Sequence, residues 1–184
     1  MAEKLFESFI KESDVSQELY NKYEAILPSG LLALWKEYGF GSFMDGYLKI
    51  INPEEYQSLV IDTYFRGNIA IPIFVTAFAD VIAWEENRYL RMIKYKNGFF
   101  QGMAAGFGFF LEDLENGRFN EKFFDIDMYT EATRMWGNIE FNECFGFVPL
   151  LGLGGSQKVE NLKKVKIKEH IEIISQLVGK IGAD

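Results

Sequence analysis

Few residues in this chain have the type and spacing that covalent or metal chemistry needs. The one histidine, His170, stands in KIKEHIEII, where a helical turn sets it beside Ile167 and Ile174. Without a second histidine one turn away it cannot form an HExxH zinc site, and a half-buried, hydrogen-bonded ring is the expectation. The one cysteine, Cys144, lies in the aromatic run NECFGF, where a buried thiol is usually inert. A Cys144 and His170 dyad stays open from sequence alone. Asp125 and Asp127 flank Ile126 and would share one face if that stretch were a strand, as a glycosidase or metal pair would; in a solvated loop they would do nothing of the kind, and that is the expectation.

Two glycine-rich stretches could hold a phosphate. GFGSF, from Gly39 to Phe43, lacks the third glycine of a dinucleotide fingerprint and follows a helical pattern instead of a strand. GLGGSQK, from Gly152 to Lys158, offers the backbone N–H groups of Gly152, Gly154 and Gly155 together with Ser156 and Lys158, but not the order or spacing of a Walker loop. A structural turn is the expectation there, with a small-molecule or nucleotide site as the alternative. No catalytic residue, metal ligand set or cofactor site is assigned.

Charge is the stronger signal. Glu112, Asp113, Glu115, Glu121, Asp125 and Asp127 crowd one stretch, with only Arg118 and Lys122 to offset them. Such a patch speeds encounter with a basic partner and sets its register, so Glu112, Asp113, Glu115, Asp125 and Asp127 are the candidate docking residues. Lys158, Lys163, Lys164, Lys166 and Lys168 form a basic run nearer the C-terminus, without the interleaved rings of a base-stacking platform. Over the whole chain 27 acidic residues outweigh 19 basic ones, a net charge of -8, which disfavours nucleic acid and anionic membrane as partners.

The elements that must position these groups follow from pattern. Leu5, Phe6, Phe9 and Ile10, then Val15, Leu19 and Tyr23, predict two short helices, and Leu31 to Tyr38 a third, capped at Gly39. Tyr47 to Ile51 has strand composition; Asn52, Pro53, Glu54 and Glu55 supply an N-cap, a first-turn proline and two acids for the next helix. From Ile69 a meander of antiparallel strands is expected, running through Asn97-Gly98 and on through FFQGMAAGFGFF, followed by short helices, a strand within 139–148 and a last amphipathic helix ending at Gly179. Aromatic residues make up 16 % of the chain, with 18 Phe and 9 Tyr, so the core should be rich in rings. A lone cysteine and no apolar run of membrane-spanning length predict a cytoplasmic protein. The fold expected is α+β, helices packed on a mainly antiparallel sheet, in two tightly joined parts: 1–66, mainly helical with a short strand, and 67–184, a β meander plus helices.

The motifs also resemble a known family. LPSGLLALWKEYGFGSFMDGYLKIINPEEY is similar to the GAD-like domain, whose members share a Leu-Pro step, a helix with Trp and Tyr-Gly, a Gly-Phe-Gly turn, a strand and an Asn-Pro-Glu step. FVTAFADVIAWEE and GFVPLLGLGGSQKVENLKKVKIKEHIEIISQLVG resemble the domain that commonly follows it, with Ala79 where that pattern has glycine. The helix with Leu-Pro, Trp and Tyr-Gly resembles, more loosely, the SMI/KNR-type immunity superfamily. The resemblance implies an immunity protein of a type VI secretion or related polymorphic toxin system, one that binds a cognate toxin, in at least one branch a nuclease with a basic active-site cleft, and needs no catalytic group of its own. It also implies a scaffold role for Trp35, Tyr38, Gly39, Gly41 and Gly46.

Overall fold

The computed structural model describes residues 3–183. Its elements run in the order α1 (Glu3–Phe6), β1 (Ile10–Ser13), α2 (Gln17–Tyr23), α3 (Ser29–Glu37), β2 (Phe40–Phe43), β3 (Leu48–Ile50), α4 (Pro53–Thr63), β4 (Ala70–Thr76), β5 (Val81–Glu85), β6 (Tyr89–Lys94), β7 (Phe99–Ala105), α5 (Phe107–Glu115), α6 (Arg118–Lys122), α7 (Ile126–Trp136), β8 (Glu143–Phe147), β9 (Leu162–Lys166) and α8 (Ile167–Val178). Strands β1 to β7 form one antiparallel sheet in sequence order, and β8 pairs with β9 in a second. The fold is α+β with helices on an antiparallel sheet, as expected. Because β3 pairs with β4 across residue 67, with Leu48 opposite Thr76 and Ile50 opposite Phe74, both parts of the chain contribute strands to the large sheet.

Period-two alternation divides the sheet's side chains between two cores. On one face Phe43, Phe74, Phe78, Leu90 and Met92 meet Trp35 of α3, Phe110 of α5 and Tyr129 of α7; on the other, Val75, Val81, Ile93 and Tyr95 meet Tyr56 and Val60 of α4 and Ile171 and Ile174 of α8. A bulge in β4 between Pro72 and Phe74 breaks the alternation, and Ile73 and Phe74 both turn to the first face. Rings line that core almost continuously, with Phe74 stacked on Phe110 at 5.5 Å and Tyr47 edge-on to Tyr129 at 5.3 Å.

Two expected elements change type. Ile10–Ser13 is an edge strand on β2, not the end of a helix; its exposed Lys11 and Glu12 discourage further pairing along the edge. The meander ends at Ala105, because Gly106 takes φ +103 and the following Phe107, Phe110, Leu111 and Leu114 have helical spacing, so GFGFF opens α5 instead of extending β7. The start of α4 follows its sequence signals: Asn52 Oδ1 accepts from the Glu54 N–H at 3.0 Å, and Pro53 occupies the first helical position.

Candidate functional site

The junction between α6 and α7 gathers the chain's most distinctive charge chemistry. At the end of β6, Lys94 continues the inward alternation of Leu90 and Met92, and Lys96 follows in a single 3-10 turn. The two lysines reach beneath the junction. Lys94 donates to the Phe123 carbonyl at 3.0 Å, and Lys96 bonds Asp80 Oδ2 at 2.6 Å and Asp125 Oδ2 at 3.0 Å. From the other side the Asp125 N–H donates to the Tyr47 hydroxyl at 3.0 Å.

Asp80 has no solvent exposure, and its Oδ1 finds no hydrogen-bond donor among the described residues. Burial pushes its carboxyl above the ordinary carboxylate range, against the pull of Lys96 and Lys94. The turn that carries Asp80 is a type I turn followed by a left-handed residue: the Ala79 N–H donates to the Thr76 carbonyl at 3.0 Å, Ala79 takes φ +62, and the Thr76 hydroxyl accepts from the Phe78 and Asp80 N–H groups. Glycine is the natural residue at such a position.

Above the lysines lies a groove. One part, about 720 Å³, is lined by Asn120, Glu121, Phe124, Asp125, Ile126, Asp127 and Met128. A second, about 330 Å³, is lined by Met44, Asp45, Asn120, by Ile126, Tyr129, Thr130 and Thr133 of α7, and by Asn138 just after it. They share Asn120 and Ile126 and form one depression with an apolar floor and an acidic rim. At its far end the β2–β3 turn presents Met44 and Asp45, both at positive φ (+53 and +55), held by the Tyr129 hydroxyl, which donates to the Asp45 carbonyl at 2.8 Å, and by Ser8 Oγ, which accepts from the Asp45 N–H at 3.0 Å.

The sequence-derived candidates divide between several environments. Asp127 is exposed in the first turn of α7, whereas Asp125 precedes that helix and turns inward to Lys96, so the two do not share a strand face. Glu112 and Glu115 are exposed on α5, away from the groove lining, and Asp113 is bound to Arg118 at 2.7 Å. Sequence reading omitted Asp45 and the buried lysines from the site. The alternation LRMIK, which sets Lys94 in phase with Met92, is the signal that could have revealed the first of them.

Around Gly152, the N–H groups of Gly154 and Gly155 donate to the carbonyls of Leu151 and Leu150, and Asn161 Nδ2 donates to Ser156 Oγ at 2.8 Å. Exposed Lys158 stands apart from any ion pair among the described residues. The basic run is partly neutralised close by: Lys166 reaches Glu143 at 3.3 Å and Lys168 reaches Glu55 at 3.5 Å. Cys144 is buried, and burial pushes its thiol up to about 12. His170 is also buried, 6 % exposed, and has no hydrogen bond to any described residue, contrary to expectation. Desolvation pulls its pKa below the ordinary histidine value. Its ring lies against Gly146, where a Cβ would meet it at 2.5 Å.

No helix among the described residues is long and apolar enough to cross a membrane. A crystal structure of Atu4351 from Agrobacterium tumefaciens is similar in fold, with a TM-score of 0.74 over 96 % of this chain and 89 % of that one at 20 % identity. Comparison with curated proteins finds no match. Residues 104–178, from the end of β7 through α8, match the C-terminal domain of the T6SS immunity protein Tdi1. Residues 2–96, more than half of the chain, match the GAD-like domain, and the chain belongs to the GAD-like domain family, with a T6SS immunity-type C-terminal part.

Proposed function

We propose that the protein is an immunity protein that neutralises a cognate bacterial toxin, a nuclease effector of a type VI or related system, by binding it directly in the cytoplasm. The observation that carries this reading is the match of residues 104–178 to the immunity domain of Tdi1. Physical chemistry supports the nuclease: an enzyme that grips nucleic acid must present a basic cleft to phosphates, and an acidic protein of net charge -8 is complementary to it. Neutralisation by occlusion requires no reaction. The buried Cys144 and His170 are consistent with that, since neither presents a reactive group to solvent. The test is co-expression with the toxin encoded beside it: growth restored, together with capture of the toxin by the tagged protein, is expected. A toxin that still kills when the protein is abundant and folded refutes the reading.

A small-molecule or nucleotide site at Gly152, Gly154, Gly155, Ser156 and Lys158 is the second reading. The N–H groups of Gly154 and Gly155 and the Ser156 hydroxyl are already engaged within the loop, which weighs against it. Thermal stabilisation by a nucleotide or phosphate, lost in Lys158→Ala, would restore it.

A further inference from the structure

We infer that the groove between the β2–β3 turn and α7 is the surface that receives the partner, and that its occupant is a basic segment carrying an apolar residue between arginines or lysines. Three features of the groove lead there. Its floor is apolar, built from Phe124, Ile126, Met128 and Met44, and so takes an aliphatic side chain or the alkyl stem of arginine. Asp45, Glu121 and Asp127 on its rim are exposed and make no ion pair with any described residue. Lys122 does not line either part and instead lies over the Phe123 ring at 5.1 Å. The groove is therefore short of cation, and charge complementarity selects a basic occupant over an acidic or neutral one.

The groove is also preformed. Lys94 and Lys96 hold the α6–α7 junction from below, and Tyr129 and Ser8 hold the turn at the far end. Little ordering remains to be done when a segment enters. Asp125 lines the groove but turns its Oδ2 inward to Lys96 at 3.0 Å and Lys94 at 3.9 Å; it is a positioning residue, while Asp127, two positions on, meets the partner. The acids of α5, Glu112 and Glu115, lie outside the groove lining and act at most on the rate of encounter.

The identity of the partner as a toxin rests on the immunity reading; the chemistry of the groove does not, and the experiment separates them. The blocked tripeptide Arg-Leu-Arg is titrated into the isotope-labelled protein, with Glu-Leu-Glu as the control. Saturable shifts at Asn120, Glu121, Ile126, Asp127 and Tyr129 are expected, with affinity about tenfold weaker in Glu121→Gln/Asp127→Asn and more in Glu121→Lys/Asp127→Lys. Asp125→Asn should lower the melting temperature but leave affinity within about twofold, the pattern of a positioning group. Shifts centred on α5 or between α4 and α8, no saturable binding, or affinity indifferent to the Glu121 and Asp127 changes would each overturn the inference. In the co-expression assay, failure of the unaltered protein to rescue growth refutes the immunity reading alone. Full rescue and unchanged toxin capture by a folded Glu121→Lys/Asp127→Lys variant removes the groove as the toxin's surface.

Discussion

Replacing Lys96 by methionine should be among the most damaging single changes in this protein, and the reason is electrostatic more than steric. Methionine matches most of the lysine's length, so the packing against Phe78, over whose ring the ammonium sits at 5.4 Å, is largely kept. What is lost is the only cation among the described residues within 3 Å of Asp80, a carboxylate with no exposure and one oxygen without a hydrogen-bond partner among them. Breaking a buried pair by removing one partner costs about 3–5 kcal/mol, a large share of the roughly 5–15 kcal/mol that holds a domain folded. At roughly 2–4 °C per kcal/mol for a chain of this size, the melting temperature should fall by about 6–20 °C. Burial already raises the Asp80 pKa with Lys96 in place, and without the cation it rises further. A folded-state pKa above the unfolded one means that the native protein binds the extra proton, so the variant's deficit should shrink as pH is lowered from 7 towards 5. Asp80→Leu/Lys96→Met, which leaves neither member of the buried pair without its partner, should recover part of the loss, the remainder being that of Asp125, left with Lys94 at 3.9 Å. Chemical denaturation of the four members of this cycle between pH 5 and 7.5 measures the coupling directly. A Lys96→Met cost below about 1 kcal/mol, or one independent of pH, would refute the reasoning, because it would place the pair in the same class as an exposed one.

Other outcomes follow from the same structure. His170 has a folded-state pKa below its unfolded value of about 6.5, so its neutral ring contributes stability above that pH which is lost as pH falls through the lowered value; the melting temperature of His170→Phe should fall less than that of the parent between pH 7 and 5, and parallel curves would contradict this. Lys49, 1 % exposed and bonded to the carbonyls of Glu140 and Glu143, has its pKa pulled down to about 8 by burial. Its burial cost is therefore relieved as pH rises from about 8 towards 10.5, by at most about 3 kcal/mol; in a Cys144→Ala background, which removes the opposing thiol, the stability of the Lys49 protein should rise over that window relative to Lys49→Met, and no difference would refute it. Ala79→Gly relieves a left-handed alanine worth about 1–2 kcal/mol but loses a buried methyl and gains unfolded-chain freedom of similar size. It should be near neutral by urea denaturation, while Ala79→Val costs more than about 2 kcal/mol; equal effects would show that the turn is not strained.

Local patterns were legible wherever a few neighbouring residues decide the outcome. Asn52-Pro53-Glu54 opens α4 and Gly39 closes α3 with φ +79, because caps and left-handed turns depend on chemistry within four residues. Ile10–Ser13 was misread since an apolar pair next to charges suits a helix or an edge strand, and only pairing with β2 selects the strand. GFGFF was misread for the complementary reason: rings favour strands in isolation, but Gly106 turns the chain and Phe107, Phe110 and Leu114 find a core to bury in as a helix.

The sequence by itself determined the acidic balance, the helix caps, the aromatic core, the antiparallel meander and the family motifs, since each is a property of composition or of short-range spacing. Only the tertiary structure decided which charges are spent and which are offered. Asp125 and Asp127 are two residues apart in a run of acids, and nothing in that run distinguishes them. A lysine 29 residues away in sequence closes on one and leaves the other in solvent. Coulomb attraction acts on distance through space, in a dielectric that burial sets, and both quantities exist only once the chain has folded.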